Sequence, residues 1–373
     1  MLHRRSPNAM ITSQTMEKVV YLLGAGFSAP LGLPVMSNFL IKSKDAFAQD
    51  PGKYAHFSKV FDTINAMHAC KSYFEADLFN IEEILSILEM QEGLEKSPAA
   101  RSFTQYIKDV IQHYTPRPPS PDQMPNETDT NNRVGAWQHC MFGEVDWSPY
   151  GSFVASLFCL QAKPSWIGQT DPGRIQFVPI ERPSFDYSVV TLNYDSVLED
   201  VCSFINKHHP SARKVQFQRD PQWAGDENVI HIPLAKLHGS VGTESIIAPT
   251  WNKHLYPQIV SDWRMAHDLI SQANHLRILG YSLPTTDAYI KYLLKSAVSK
   301  CQNLKSIDVV CKGSTAKKHY DDFITFNFYR FKDVDIAKYL FEIHEASLGM
   351  KYYGSDRPFD KIEFVHKDFM NRP

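Results

Sequence analysis

The sequence predicts an α/β protein whose open parallel sheet is interrupted by a mostly helical insertion. Three observations carry that expectation. Short apolar runs rich in β-branched side chains occur at Val19–Leu23 and again from Phe185 onward, each ending in a polar or glycine-containing turn. Amphipathic stretches alternate with the later runs, as strands and helices do in a parallel sheet. Between the first run and the later ones lies a long span whose apolar residues return at helical spacing.

The first run is Val19–Leu23. It stops at Gly24-Ala25-Gly26, with Ala29 in the third small slot of a G-x-G-x-x-G/A pattern. That pattern predicts a Rossmann-like turn. Its glycines allow a sharp bend and the close approach of a pyrophosphate, and a helix opening there points free N–H groups at the anion. A tight strand-to-helix turn without a ligand is the plainer reading of the same residues.

Beyond Pro34 the pattern is helical. Ser37 is a candidate cap for a helix through Phe39, Leu40 and Ile41, and a second helix is expected over Phe57–Met67. Asp77–Met90 places Leu78, Ile81, Ile84, Leu85 and Leu88 on one face, and Glu82, Glu83 and Glu89 read as its solvated side. Another helix, Arg101–Tyr114, ends before Pro116. A loop near residues 115–135 is dense in Pro, Asp, Asn and Thr and too poor in apolar groups to pack. Trp137–Leu160 is aromatic-rich, with a helix expected after Pro149.

Strand character returns at Tyr187–Leu192, Val229–Leu237, Leu276–Leu279 and Ile307–Cys311, with an amphipathic helix over Asp287–Val298. The expected organisation is a leader over residues 1–17, with Met10 or Met16 as an alternative start. A discontinuous nucleotide-binding domain follows over 18–34 and 184–330. The insertion covers 35–183, and a C-terminal helix near Val334–Leu348 with a polar tail completes 331–373.

The whole chain of 373 residues has a net charge of −2 and no basic block, which gives no reason to expect direct nucleic-acid binding. Its six cysteines, at 70, 140, 159, 202, 301 and 311, form no C-x-x-C pair, which argues against a zinc ribbon or a disulfide framework and suits a reducing cytoplasm. The N-terminal stretch has two arginines but no apolar region of signal-peptide type, and no apolar run reaches the roughly 20 residues of a membrane helix. His208, His209 and His254 lack metal-ligand spacing, so no metal is assigned.

Four motifs stand at the ends of expected strands: Gly24-Ala25-Gly26-Phe27-Ser28 with Gly32-Leu33-Pro34, then Thr191-Leu192-Asn193-Tyr194-Asp195, Lys236-Leu237-His238-Gly239-Ser240, and Gly280-Tyr281-Ser282. In this order they resemble the G-A-G-x-S and G-I-P, T-x-N-x-D, histidine-carrying H-G and G-T-S segments of the sirtuin-like NAD-consuming family. The resemblance implies that Gly24, Ala25, Gly26, Ser28, Leu33, Pro34, Thr191, Gly280 and Ser282 bind NAD. It also implies that Asn193, Asp195 and His238 are catalytic. Chemically, Asn193 can serve a ribose hydroxyl or a water, Asp195 can accept from a carboxamide, and His238 can take a proton near neutral pH. The plainer readings are an Asx turn at Asn193 and Asp195, a buried histidine satisfied by a carbonyl at His238, and a turn closed by Ser282 before Pro284. Thr250, Trp251, Asn252 and Lys253 read as packing or as cleft lining.

The chain departs from the protein deacylases of the family. It lacks their paired zinc-binding cysteines, and Val35-Met36-Ser37 stands where they have D-F-R. Asp45 has the spacing of a ribose-binding acid but falls in the insertion. The remainder resembles the bacterial antiviral-defence NADases, which cleave NAD to nicotinamide and ADP-ribose with water as nucleophile. That resemblance implies a silent effector, a homo-oligomer, and a phage trigger or a separate regulatory partner such as a HerA-like hexameric ATPase. A deacylase, an ADP-ribosyltransferase and a non-catalytic NAD or ADP-ribose-binding subunit remain open alternatives.

Overall fold

The computed structural model describes residues 16–95, 99–118, 147–164, 175–180, 183–208, 213–220, 225–241, 257–285, 287–347 and 361–372. The bulk of the expected leader and of the 115–135 loop, the first part of Trp137–Leu160, and His209, Thr250, Trp251, Asn252, Lys253 and His254 lie outside them. Among the described residues, no helix is long and apolar enough to cross a membrane.

Seven parallel strands form the main sheet. In chain order they are β1 (Glu17–Leu23), β4 (Phe185–Thr191), β5 (Lys214–Gln218), β6 (Val229–Lys236), β7 (His275–Leu279), β8 (Ser306–Val310) and β9 (Tyr329–Lys332), arranged β5-β6-β4-β1-β7-β8-β9. β1 sits in the middle, pairing Val19 with Tyr187 on one side and with His275 on the other. The chain builds one half of the sheet on β4 and the other on β7, so the order reverses around β1. Crevices beyond the carboxyl ends of strands at such a reversal are where open sheets hold ligands. A separate antiparallel pair, β2 (Leu160–Pro164) and β3 (Ile175–Pro179), lies within the span expected to be helical.

Both faces of the sheet are covered, which explains why β1 reads as continuous apolar residues. Val19, Tyr21 and Leu23 face one core with Val189 and Leu234, while Val20 and Leu22 face the other with Ile278 and Val309. Helices Pro257–Ser271, Ala288–Val298 and Ser314–Asp321 close the second face. Helices Ser148–Leu157, Val197–His208, Ile336–Ser347 and Lys361–Asn371 close the first. Helix Ser148–Leu157 therefore packs on the sheet, although the sequence grouped it with the insertion. The C-terminal tail, expected to be polar, holds a helix burying Ile362, Val365 and Phe369.

Helices Phe39–Gln49, Phe57–Ala66, Ile81–Glu95 and Ala99–Tyr114 form a third cluster, joined by Tyr194 and Val241 from the loops after β4 and β6. The last of these contributes Phe103, Tyr106, Ile107, Val110 and Ile111, a stripe at i, i+3, i+4, i+7 and i+8. Two start signals differ from expectation. Ser37 lies inside a short 3₁₀ turn, and Asn38, which precedes the helix, accepts from the Val35 N–H behind it (2.9 Å) and caps no N–H of the helix. The helix expected from Asp77 begins at Ile81, because Asp77 turns the chain by accepting from Phe79 N–H, and Asn80 caps instead through Glu83 N–H.

A buried polar network fastens the C-terminal helix to the sheet. The Arg277 guanidinium on β7 donates to both oxygens of Glu363 (2.9 and 2.5 Å) and to the Tyr21 hydroxyl (2.7 Å), and Tyr187 donates to Glu363 (2.8 Å). Beside it His366 bridges Tyr339 and Asp308, each at 3.0 Å. Asp308 is also held by Arg330, so it stays ionised and accepts the His366 Nε2 proton, while Nδ1 accepts from Tyr339. This makes His366 a neutral ring. Burial and the Arg277 charge push its pKa down from 6.5 to about 4, and Arg277 holds Glu363 below the usual carboxylate range.

Removing one partner of a buried ion pair strands the other charge, so Glu363→Ala should lower unfolding free energy by about 3–5 kcal/mol in denaturant melts. The pH dependence has one sign for both groups. The unfolded His366 protonates below 6.5 but the folded one only near 4, so stability falls as pH drops through that window. The depressed Glu363 loses its contribution as pH falls further through its folded pKa. Thermal midpoints measured at falling pH should therefore decline, and His366→Gln should flatten the upper part of that decline.

Candidate functional site

The glycine turn is held by backbone, which gives its glycines a packing role beside the ligand role the sequence suggests. Gly24 N–H donates to Leu279 O (3.0 Å) and Gly26 N–H to Gly280 O (2.8 Å), tying the end of β1 to the end of β7. A Cβ on Gly26 would lie 2.7 Å from Gly280 O, and one on Gly24 would lie 2.6 Å from the Tyr281 Cβ. Gly280 itself has φ +64°, and a Cβ there would meet Phe27 N at 2.2 Å. The glycines at 24, 26 and 280 thus permit two turns to interlock, a requirement that the pyrophosphate reading of the sequence did not include. Nor does an α-helix open at this turn. Two 3₁₀ turns, Ala25–Phe27 and Ala29–Leu31, follow Gly24, and the first α-helix waits until Phe39.

The interlocked turns floor a cavity of about 1060 Å³, at the upper end of the roughly 300–1,000 Å³ of small-ligand sites. Ala25, Gly26, Ser28, Leu33 and Pro34 line it from β1, and Gly280 and Ser282 from β7. Asn193, Asp195 and His238 enter from the ends of β4 and β6. Gly24 and Thr191 stand behind the wall. The Gly24 carbonyl accepts from Asn193 Nδ2 (3.0 Å), and the Thr191 hydroxyl accepts from Asn193 N–H (3.0 Å). Ser282 is exposed, and its carbonyl lies 3.2 Å from His319 Nδ1. Asp45 is exposed on its helix and does not reach the cavity.

The three polar residues are held in fixed orientations. Asn193 Nδ2 also reaches the Ser28 hydroxyl (3.3 Å), which leaves Oδ1 buried with no hydrogen-bond partner among the described residues. Because Gly24 O can only accept, the amide orientation follows: nitrogen to the glycine turn, oxygen elsewhere. His238 Nδ1 lies 3.0 Å from Leu192 O, another pure acceptor, so Nδ1 carries the proton and the neutral ring has its lone pair on Nε2. Tyr194 packs beside that ring, centroids 5.7 Å apart. Asp195 Oδ1 accepts from Val197 N–H (3.1 Å) at the start of the following helix. Burial pushes the Asp195 carboxyl up, opposed by the Lys236 charge and a hydrogen bond from Ser28. The plainer readings of Asp195 as a turn residue and His238 as a carbonyl-bound histidine are thus both realised, and each fixes the side chain at the cavity wall.

Several wall residues were not read from the sequence. Phe79, Asn80, Ile81 and Ile111 close the cavity from the helical layer, a contact that no spacing within one segment discloses. Lys312 follows the expected strand Ile307–Cys311, so its strand-end position was available. Asp335 follows β9, whose short polar sequence Tyr-Arg-Phe-Lys carries little strand signal. Among the described residues, no three His, Cys, Asp or Glu side chains are grouped to hold a metal ion.

Against known families, residues 187–324 match the SIR2-like domain. The matched span contains three of the four motifs and begins after the glycine turn. Residues 187–324, the β4 to β8 part of the sheet, thus carry a SIR2-like domain. No curated protein sequence matches it. Among solved structures, it is similar to Sir2 in complex with the inhibitor EX-527, 2′-O-acetyl-ADP-ribose and deacetylated p53 peptide, at 15% identity over 89% of this chain and 94% of that one, TM-score 0.31. It is likewise similar to a Sir2–p53 peptide–NAD⁺ structure at 13% identity, covering 88% and 93%, TM-score 0.31. A third is a Sir2 enzyme described for its mechanism and regulation, at 12% identity, covering 90% and 94%, TM-score 0.36.

Gly280→Ala should be severe, since it forces a left-handed residue and an overlap with Phe27 N. Together these amount to about 2–4 kcal/mol. Chemical denaturation should show that loss, whereas Gly32→Ala, strained at φ +89° but with nothing within 4 Å of the new Cβ, should lose less.

Proposed function

We propose that this chain hydrolyses NAD to nicotinamide and ADP-ribose. The observation that carries the reading is the Asn193 amide, pinned through its nitrogen so that a buried oxygen with no partner among the described residues belongs to the cavity wall beside Asp195 and His238. A buried acceptor left in this way costs free energy, and a ligand hydroxyl or water would satisfy it.

The chemistry follows from these groups. As the nicotinamide–ribose bond breaks, positive charge grows on the ribose and nicotinamide leaves with the bonding pair. Asn193 Oδ1 accepts from a ribose hydroxyl or from the attacking water. The Asp195 carboxylate accepts from the nicotinamide amide and turns that ring. His238 Nε2 takes a proton from water as its oxygen bonds to the ribose carbon, completing ADP-ribose.

The family resemblance extends the proposal to a defence effector that depletes NAD once triggered. In that setting a homo-oligomer, a phage component or a HerA-like ATPase would control it. The helices between residues 39 and 114, with their separate apolar cluster, are in this reading an inserted subdomain that roofs the cleft. Binding without turnover is the rival reading, favoured by the main-chain contacts that already satisfy His238 Nδ1 and one oxygen of Asp195.

Purified protein, assayed alone and with candidate activators, should convert NAD to nicotinamide and ADP-ribose separable by chromatography. His238→Ala should bind NAD about as tightly as the parent by calorimetry while turnover falls about 10²–10⁴-fold. Asn193→Ala should lower turnover and weaken binding as well. Wild-type rates in a folded His238→Ala protein would remove the catalytic assignment, and binding without any turnover would establish the rival.

A further inference from the structure

One buried charged side chain in contact with the site but absent from the chemistry above is Lys236. It ends β6, two residues before His238, and is only 1% exposed. An ammonium so placed costs several kcal/mol in desolvation unless it is well partnered, and an aliphatic residue would fill the same space without that cost. Its partners are specific. Nζ donates to the main-chain oxygen of Asp195 (2.5 Å) and to Glu199 Oε1 (2.8 Å) on helix Val197–His208.

The Asp195 contact is one of four cross-links between the ends of β4 and β6, the first being Leu237 N–H to Thr191 O (2.9 Å). Leu192 O receives His238 Nδ1–H (3.0 Å), Tyr194 O receives Val241 N–H (2.9 Å), and Asp195 O receives Lys236. The carbonyls of Leu192, Tyr194 and Asp195 are therefore held by the end of β6 and the histidine-bearing loop. Only Lys236 brings a formal charge. The Asp195 carboxyl is faced by the Ser28 hydroxyl and Val197 N–H, which donate to it, by the Lys236 ammonium, and by the Glu199 carboxylate, which opposes it.

Resting on the proposed hydrolase reading, we propose that Lys236 is a positioning residue: it holds the Asn193–Tyr194–Asp195 turn in register with His238 and supplies the counter-charge for the Asp195 carboxylate. Removing the charge while keeping the length leaves Asp195 buried among neutral and acidic groups, so its proton is held to higher pH. Removing Glu199's charge has the opposite sign, because the ammonium is then shared with no competing carboxylate.

The test uses Lys236→Met and Glu199→Gln in the full-length protein. Carboxyl-carbon NMR titration, with Asp195 assigned by its absence in Asp195→Asn, should show the Asp195 midpoint rising in Lys236→Met and falling in Glu199→Gln. In NAD turnover, Lys236→Met should lose about 10–100-fold in kcat with little change in KM. The acid limb of its pH–rate profile should move to higher pH, and that of Glu199→Gln to lower pH. A structural filler role would lower melting temperature without opposed shifts. Unchanged Asp195 midpoints in both variants, or shifts of the same sign, overturn the inference. Should Lys236→Met fail to fold, Lys236→Gln is titrated in its place, and an unchanged Asp195 midpoint there overturns the inference. If the wild type turns over no NAD, the hydrolase reading fails, while the titration still decides whether Lys236 and Glu199 set the charge of Asp195.

Discussion

Everything in this site depends on the backbone contact between Gly26 and Gly280. Two turns from neighbouring central strands meet there at a distance that leaves no space for a side chain on either. Their hydrogen bond joins the ends of β1 and β7, the strands on either side of the sheet's reversal. The Gly24 carbonyl, fixed by the same turn, then holds Asn193 from β4, and Asn193 in turn sits beside Ser28. A chain of main-chain contacts runs from the floor of the cavity to its proposed catalytic amide. Rigid positioning of this sort is what cleavage of a glycosidic bond requires, because a small displacement of an orienting group forfeits much of the rate.

The strands that carry the motifs were legible because they are buried on both faces. Val19–Leu23 is an unbroken apolar run, Tyr187–Leu192 and Leu276–Leu279 are apolar apart from Ser188, Thr191 and Arg277, and each leads into a turn at the cavity. The strands missed, Lys214–Gln218 and Tyr329–Lys332, lie at the two edges of the sheet, where charged and polar side chains blur the signal. Asn193, Asp195 and His238 were readable as strand-end polar residues, and the structure gathers all three. Their tautomer and amide orientation were not readable, since these depend on Leu192 O and Gly24 O, which no sequence pattern displays. The glycines were readable as a sharp turn, but their close approach to the β7 turn was not, because it joins segments far apart in the chain.

Burial of charge divides the molecule into two tasks. On the sheet face covered by the C-terminal helices, Arg277, Glu363, His366 and Asp308 satisfy one another completely enough to dock a helix that the sequence presents as a polar tail. At the strand ends, Lys236 is paired less symmetrically, sharing its ammonium between a carboxylate and a carbonyl of the site loop. The first arrangement stabilises the scaffold. The second spends a buried charge on the geometry of one turn. Neither was visible from composition, because a lysine or arginine inside a strand pattern reads as surface until its partners are known.

The helical layer ties the cavity to the rest of the chain. Its apolar cluster takes in Tyr194 and Val241, residues from the two site loops, and Gln112 donates to the Val241 carbonyl at 3.1 Å. Any movement of those helices is therefore felt next to Asn193 and His238. The account stands or falls on where the substrate lies among them, and a crystal structure of the His238→Ala protein with NAD bound reads this directly. The account predicts the nicotinamide ribose in the cavity with a hydroxyl, or an ordered water, within hydrogen-bond distance of Asn193 Oδ1, and the carboxamide beside Asp195. NAD bound with its nicotinamide half away from Asn193 and Asp195 would contradict it.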